Sequence, residues 1–154
     1  MTDNSTWQRD RIGAAERGEN PMFVARLATG LAFLHDAQFL PGWCVLFAVP
    51  QVGRLEDLPD GRARDFLADM ARLGRAVSAA CGPRRVNYAI YGNAAPVLHA
   101  HVMPRYDWEP ADRVKDAVWT YPPARWRDLP LDYDPTAHVA TRDAIAAALR
   151  EATS

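Results

Sequence analysis

Residues 43–49, WCVLFAV, form an unbroken apolar run that opens after the Pro41-Gly42 turn and closes at Pro50. A continuous, β-branched run bounded by turn signals reads as a strand. Being apolar on both faces, it has to be covered on both sides, which places it in the middle of a sheet or at a subunit interface.

The flanking segments supply candidate neighbours. MFVARL (22–27) and LAFLHD (31–36) read as strands, and the Thr29-Gly30 pair between them signals a hairpin. Residues 6–17, TWQRDRIGAAER, read as a short polar helix stopped by Gly18 and Pro21. After the central run the period changes. Phe66, Met70, Leu73 and Val77 recur at helical spacing with Arg62, Arg64, Arg72 and Arg75 between them, which predicts an amphipathic helix over 60–81 stopped by Gly82-Pro83. VNYAIYG (86–92) and VLHAHVM (97–103) are two more strands, joined by Asn93-Ala94-Ala95-Pro96. Past Pro104 the chain is rich in proline and aromatic residues, which predicts irregular but packed structure before a C-terminal helix over 136–151. The expectation is one α+β domain over 1–154, an antiparallel sheet with a long helix on one face.

Composition excludes several classes. The 18 basic and 19 acidic residues nearly cancel, giving a net charge of -1. That argues against polymeric nucleic acid as a partner, because such binding rests on many Lys and Arg contacts to phosphate. No apolar run approaches the ~20 residues of a membrane span, so no membrane partner is expected. The opening MTDNSTWQRD does not read as a signal peptide. Cys44 and Cys81 have neither ligand spacing nor a framework to build, which fits reduced thiols in a cytoplasmic protein.

The chemistry concentrates at His99 and His101. Two residues apart on a predicted strand, their imidazoles share one face with Val97 third in the row. Such a pair suits nucleophilic attack by one ring with proton transfer by the other, zinc binding with a third ligand, or a structural role. For zinc the available third ligands are His35, His138, Asp107 and Glu109; Asp107 and Glu109 lie past Pro104, off the strand, at no spacing that matches a zinc signature, and no metal is expected.

The stretch NYAIYGNAAPVLHAHVMPRY (87–106) closely resembles the signature of the histidine triad (HIT) superfamily, three alternating histidines H-x-H-x-H. It is most similar to the diadenosine tetraphosphate hydrolase-like branch, where an N…G-N…P run precedes the triad and a P-R-Y tail follows it. PGWCVLFAVPQVGRLEDL (41–58) resembles that family's upstream strand, and WTYPPARW has parallels in the same branch; the likeness covers about 30–126. The resemblance implies a HIT-like fold and a homodimer paired through the long helix and an edge strand. It implies a nucleotide hydrolase or nucleotidyl transferase acting on a dinucleoside polyphosphate or nucleoside phosphoramidate. Such an enzyme works through a covalent nucleotidyl-histidine and needs no cofactor.

Residue by residue, the resemblance implies His99 as the nucleophile and His101 as the histidine that contacts phosphate and helps the leaving group depart. Gly92 and Asn93 match the turn lying against the phosphates, where a glycine lets backbone N–H groups approach. Asn87 matches an asparagine near the same site, and Asp36 a carboxylate that holds ribose hydroxyls. Three positions depart from the pattern. Val97 stands where the first histidine belongs, although its carbonyl could still orient His99; Gln51 replaces an upstream histidine, and Ala94 a hydroxyl that serves the leaving group in some relatives. These departures define the alternative, a catalytically weakened HIT-fold nucleotide-binding protein. Arg105 is expected to reach a distal phosphate or form a surface ion pair. Trp108, Trp119 and Trp126 are expected to be packing or interface aromatics, and His35 and His138 ordinary surface or packing residues.

Overall fold

The computed structural model describes residues 6–126 and 135–152. Two short helices, α1 (Thr6–Arg9) and α2 (Arg11–Glu16), precede β1 (Phe23–Arg26), β2 (Gly30–Leu34) and β3 (Cys44–Ala48). The long helix α3 (Asp60–Cys81) leads into β4 (Arg85–Ala89) and β5 (His99–Arg105), and α4 (Val139–Glu151) follows the proline-rich segment. The five strands form one antiparallel sheet in the order β1-β2-β3-β5-β4, with the WCVLFAV run at its centre. This is the α+β architecture the sequence patterning predicts.

Where boundaries differ, local chemistry explains them. The single N-terminal helix expected over 6–17 is two helices, because Asp10 leaves helical geometry (φ -139°) and its carboxylate caps α2 by accepting from the Gly13 N–H at 3.0 Å. β5 begins at His99 rather than 97 and continues through Pro104 to Arg105. The proline is tolerated because β3 begins at Cys44, opposite Val102, so the last part of antiparallel β5 has only β4 beside it. The C-terminal helix starts at Val139 after a 3₁₀ turn over Pro135–His138. The RDLP and DYDP stretches of the expected irregular segment lie largely outside the described residues.

The two faces of the sheet are covered unequally. Cys44, Leu46, Ala48, Ala100 and Val102 point to one side and pack against Phe66, Leu73 and Val77 of α3 and Ile145 and Leu149 of α4. On the opposite face, Ala15 of α2 covers Leu31 and Phe33 near one end. Trp43 and Met103 are covered by Tyr106 and Val118 of the 106–126 segment near the other. His99 and His101 lie between these two covers. The gap in the packing is the site.

Asp69, buried on α3, ties the helix to the β1–β2 turn: its Oδ2 accepts from both the N–H and the hydroxyl of Thr29, at 2.8 and 2.7 Å. Asp69→Ala leaves that turn's N–H buried without a partner, and should cost about 1–3 kcal/mol in urea unfolding. Asp69→Asn, which keeps an accepting oxygen, should cost less.

Candidate functional site

Period-two alternation on β5 sets His99 and His101 side by side, ring centroids 5.2 Å apart. Register with β3 places Phe47 beside His99 and Val45 beside His101. The Phe47 ring stacks on His99 at 5.4 Å. A third imidazole joins them from β2's far end: His35 lies flat on the Trp43 indole (4.0 Å, 7°) and 5.7 Å from His101. The expectation that His35 is an ordinary surface or packing residue is therefore corrected. The signal for it was available in the alternation Leu31, Phe33, His35, which continues the face of His99 and His101 once β2, β3 and β5 are aligned.

Each ring has one nitrogen committed, and the partner's chemistry dictates the tautomer. His99 Nδ1 lies 2.7 Å from the Val97 carbonyl oxygen, which can only accept, so Nδ1 bears the proton and Nε2 keeps its lone pair. Valine at position 97 thus provides this contact through its main chain. For His101 the sense is reversed: the Trp43 indole N–H donates to its Nδ1 at 3.2 Å, leaving the proton on Nε2. The Ala37 N–H donates to His35 Nδ1 at 3.0 Å with the same result. The site therefore holds one ring whose Nε2 keeps a lone pair, flanked by two rings that carry Nε2–H.

Burial keeps those two flanking rings neutral. It lowers the pKa of His101 to about 3, helped by its imidazole neighbours His35 and His99. It lowers His35 to about 4, against the opposing pull of the Asp36 carboxylate.

A cavity of about 550 Å³ opens over this face, lined by all three histidines, Asp36, the Tyr91–Ala95 turn, Trp119 and Trp126. A smaller cavity of about 210 Å³ shares the histidines and Asp36 and is walled by Arg11, Val45 and Phe47. Gly92 turns the chain at φ +78°, a conformation that favours glycine, and brings Asn93 to the cavity with it. Asp36 stands between the two cavities with the Arg11 guanidinium gripping both carboxylate oxygens, at 2.8 and 2.5 Å. Asn87 is not brought to the histidines. It points to the far end of β5, where Arg105 donates to its Oδ1 at 3.1 Å. Gln51 is exposed and lines neither cavity.

Arg105 and the tryptophans need correction too. Arg105 neither faces the histidine cavity nor forms a surface pair; it is 3% exposed and donates to the buried carboxylate of Glu109 at 2.8 Å. Glu109 also accepts from the Tyr106 N–H and the Tyr121 hydroxyl, both at 2.7 Å. Burial by itself would raise the Glu109 pKa, but these donors overcome it and hold the group below the usual carboxylate range. Trp119 and Trp126 are cavity walls as well as packing residues, with Trp119 edge-on to His101 (5.2 Å, 82°). Trp108 is exposed and stacks on Tyr106 away from the cavity. Among the described residues no group of three His, Cys, Asp or Glu could hold a metal ion, and no helix is long and apolar enough to cross a membrane.

Neither protein-family models nor curated protein sequences match the chain. Solved structures do. A histidine triad protein from Marinobacter aquaeolei VT8 superimposes with a TM-score of 0.69 at 20% identity, over 92% of this chain and 94% of that one. The histidine triad fold is shown. A histidine triad protein from Bradyrhizobium japonicum matches at 0.61 and 23% identity, over 84% and 87% of the two chains. A hypothetical histidine triad nucleotide-binding protein from Sulfolobus tokodaii strain 7 matches at 0.67 and 12%, over 91% of each. In this chain valine stands two residues before His99, and His35, just past β2, supplies a third imidazole.

The depressed histidines make stability depend on pH. Both are neutral when folded and titrate near 6.5 when unfolded, so the unfolded chain binds more protons as pH falls below 6.5. Stability should be level above pH 6.5 and decline below it, by roughly 1 kcal/mol per pH unit for each histidine until the folded values are reached. In urea titrations at stepped pH, His35→Phe, which keeps a ring on Trp43, should show a shallower decline than the wild type.

Proposed function

We propose that the protein cleaves a small nucleotide at its α-phosphorus through a covalent nucleotidyl-His99. It acts as a hydrolase or nucleotidyl transferase on a phosphoanhydride or phosphoramidate bond. The observation that carries this is the His99 Nδ1–H bond to the Val97 carbonyl, which turns the Nε2 lone pair toward a cavity large enough for a nucleotide.

The remaining groups have chemical roles in this reading. The Nε2 of His99 attacks phosphorus and the P–X bond breaks. The proton on Nδ1 stays against the Val97 carbonyl, which stabilises the cationic ring of the intermediate. The neutral Nε2–H groups of His101 and His35 donate to phosphoryl oxygens, with backbone N–H groups of the Gly92-Asn93 turn beside them. Asp36 keeps accepting capacity for ribose hydroxyls even with Arg11 attached, because a carboxylate has about four acceptor sites and the guanidinium uses two. Water then attacks the nucleotidyl-histidine, releasing a nucleoside monophosphate and restoring Nε2. The diadenosine tetraphosphate hydrolase-like resemblance bears on the leaving group, and Asn87, held by Arg105, has no direct part.

A nucleotide labelled at its α-phosphate, quenched in alkali, should leave label on the wild-type protein and none on His99→Ala. The variant should also lose at least about a thousandfold in turnover, as removal of a nucleophile does elsewhere. Unchanged turnover in His99→Ala would remove it from the nucleophile role. Nucleotide binding by calorimetry with no turnover on any substrate would instead favour the weakened binding protein that Ala94 and Val97 point to.

The reading includes a homodimer. β4 is an edge strand with one unpaired side, and Tyr88 on it and Leu67 on α3 are exposed. Light scattering should give twice the chain mass, and a stable monomer at high micromolar concentration would rule the dimer out.

A further inference from the structure

If His99 is the nucleophile, the departing group needs a proton whenever it leaves as an amine or alkoxide. The histidines have none to give cheaply. His99 must keep its Nδ1 proton against Val97, and His101 and His35 are neutral rings whose Nδ1 atoms already accept from Trp43 and Ala37. Losing Nε2–H from either would create an imidazolate. Asp36 is held as an ion pair by Arg11. At Ala94 the cavity wall is a methyl group.

One described hydroxyl does line this cavity, that of Tyr91, immediately before the Gly92 turn. Its oxygen accepts the Trp119 indole N–H at 2.9 Å. An indole N–H can only donate, so the phenol's own proton is left to point elsewhere, and the accepted bond stabilises the phenolate that would form. Trp119 is itself fixed: its ring meets Tyr91, Trp43, Trp126 and His101 edge-on at 5.0–5.7 Å.

We propose that Tyr91 is the catalytic acid for the leaving group, oriented by Trp119; the inference rests on the nucleotidyl-His99 reading and deepens it. As His99 Nε2 bonds to phosphorus, the P–X electron pair passes to X, which takes the Tyr91 proton and departs as HX. In the second step water attacks phosphorus, its proton goes to the Tyr91 phenolate, and the N–P electron pair returns to Nε2. The sum is substrate plus water giving nucleoside monophosphate plus HX. The device is useful for amine or alkoxide leaving groups and superfluous for a stable anion. The substrate class it points to is a nucleoside phosphoramidate rather than a dinucleoside polyphosphate.

The test compares a nucleoside 5′-phosphoramidate of an alkylamine with a nucleoside 5′-(p-nitrophenyl) phosphate, whose nitrophenolate leaves without a proton. In Tyr91→Phe the ratio of the nitrophenyl rate to the amine rate should rise about 10²–10⁴-fold over wild type, the usual range for a lost general acid. Trp119→Phe, which removes the orienting N–H and keeps a ring, should raise it by a smaller factor. An unchanged ratio, with both rates falling together or neither falling, overturns the role of Tyr91 while leaving nucleotidyl-His99 intact. Failure to label His99 in the wild type overturns the parent reading, and this inference with it.

Discussion

The buried pair Arg105–Glu109 holds one side of the cavity in place. Arg105 ends the strand that begins with His99, and its guanidinium also donates to the backbone carbonyls of Arg113 and Asp116. Glu109 reaches the Tyr106 N–H and the Tyr121 hydroxyl. With all these donors and acceptors satisfied, the irregular 106–121 segment is fixed against the sheet without secondary structure of its own beyond short 3₁₀ turns. Such a pair is weak evidence of net stability, since two charges must be desolvated, but breaking it leaves one of them stranded. Its consequence is positional: it sets where Trp119 stands, and Trp119 touches both Tyr91 and His101.

Strand β5 therefore does two jobs at its two ends, and the sheet connects them. The β3–β5 register fixes which residues flank the histidines, and Trp43, just before β3, fixes the His101 tautomer. A buried indole just before β3, the Ala37 N–H and the Val97 carbonyl just before β5 divide the imidazoles into one acceptor and two donors. That division arises from hydrogen-bond partners, and net charge plays little part in it.

Much of the fold was legible because it is local. The helical period of Phe66, Met70, Leu73 and Val77 and the stop at Gly82 define α3 to the residue, and the apolar run at 43–49 marks the central strand. Of the residues assigned to the site, His99, His101, Asp36, Gly92 and Asn93 converge on one cavity, while Asn87 is drawn away by Arg105. What sequence could not supply were the encounters between distant segments. His35 reads as a lone histidine until β2 is aligned with β5. Arg105 after a proline looks like a surface cation until Glu109 is seen folding back on it. Tyr91 and Trp119 lie in different segments, and no pattern in either announces their bond.

The electrostatics of the cavity answer a difficulty raised by the chain's near-zero charge. A phosphate site is expected to be cationic, yet the arginine that borders the smaller cavity, Arg11, is already paired with Asp36. Neutral N–H donors in an aromatic-walled cavity are a workable substitute, because low dielectric strengthens each hydrogen bond to an anionic oxygen. They also suit the nucleophilic role proposed for His99. In the proposed reaction, a cation fixed beside His99 would draw a phosphate closer but would oppose the positive charge its ring would acquire on attack, whereas neutral rings impose no such opposition. Arg11 in turn cancels the Asp36 carboxylate, which would otherwise repel the incoming phosphate from the cavity mouth. The site is thus balanced close to neutrality, and in the proposed reaction any preference for the transition state would come from where protons point.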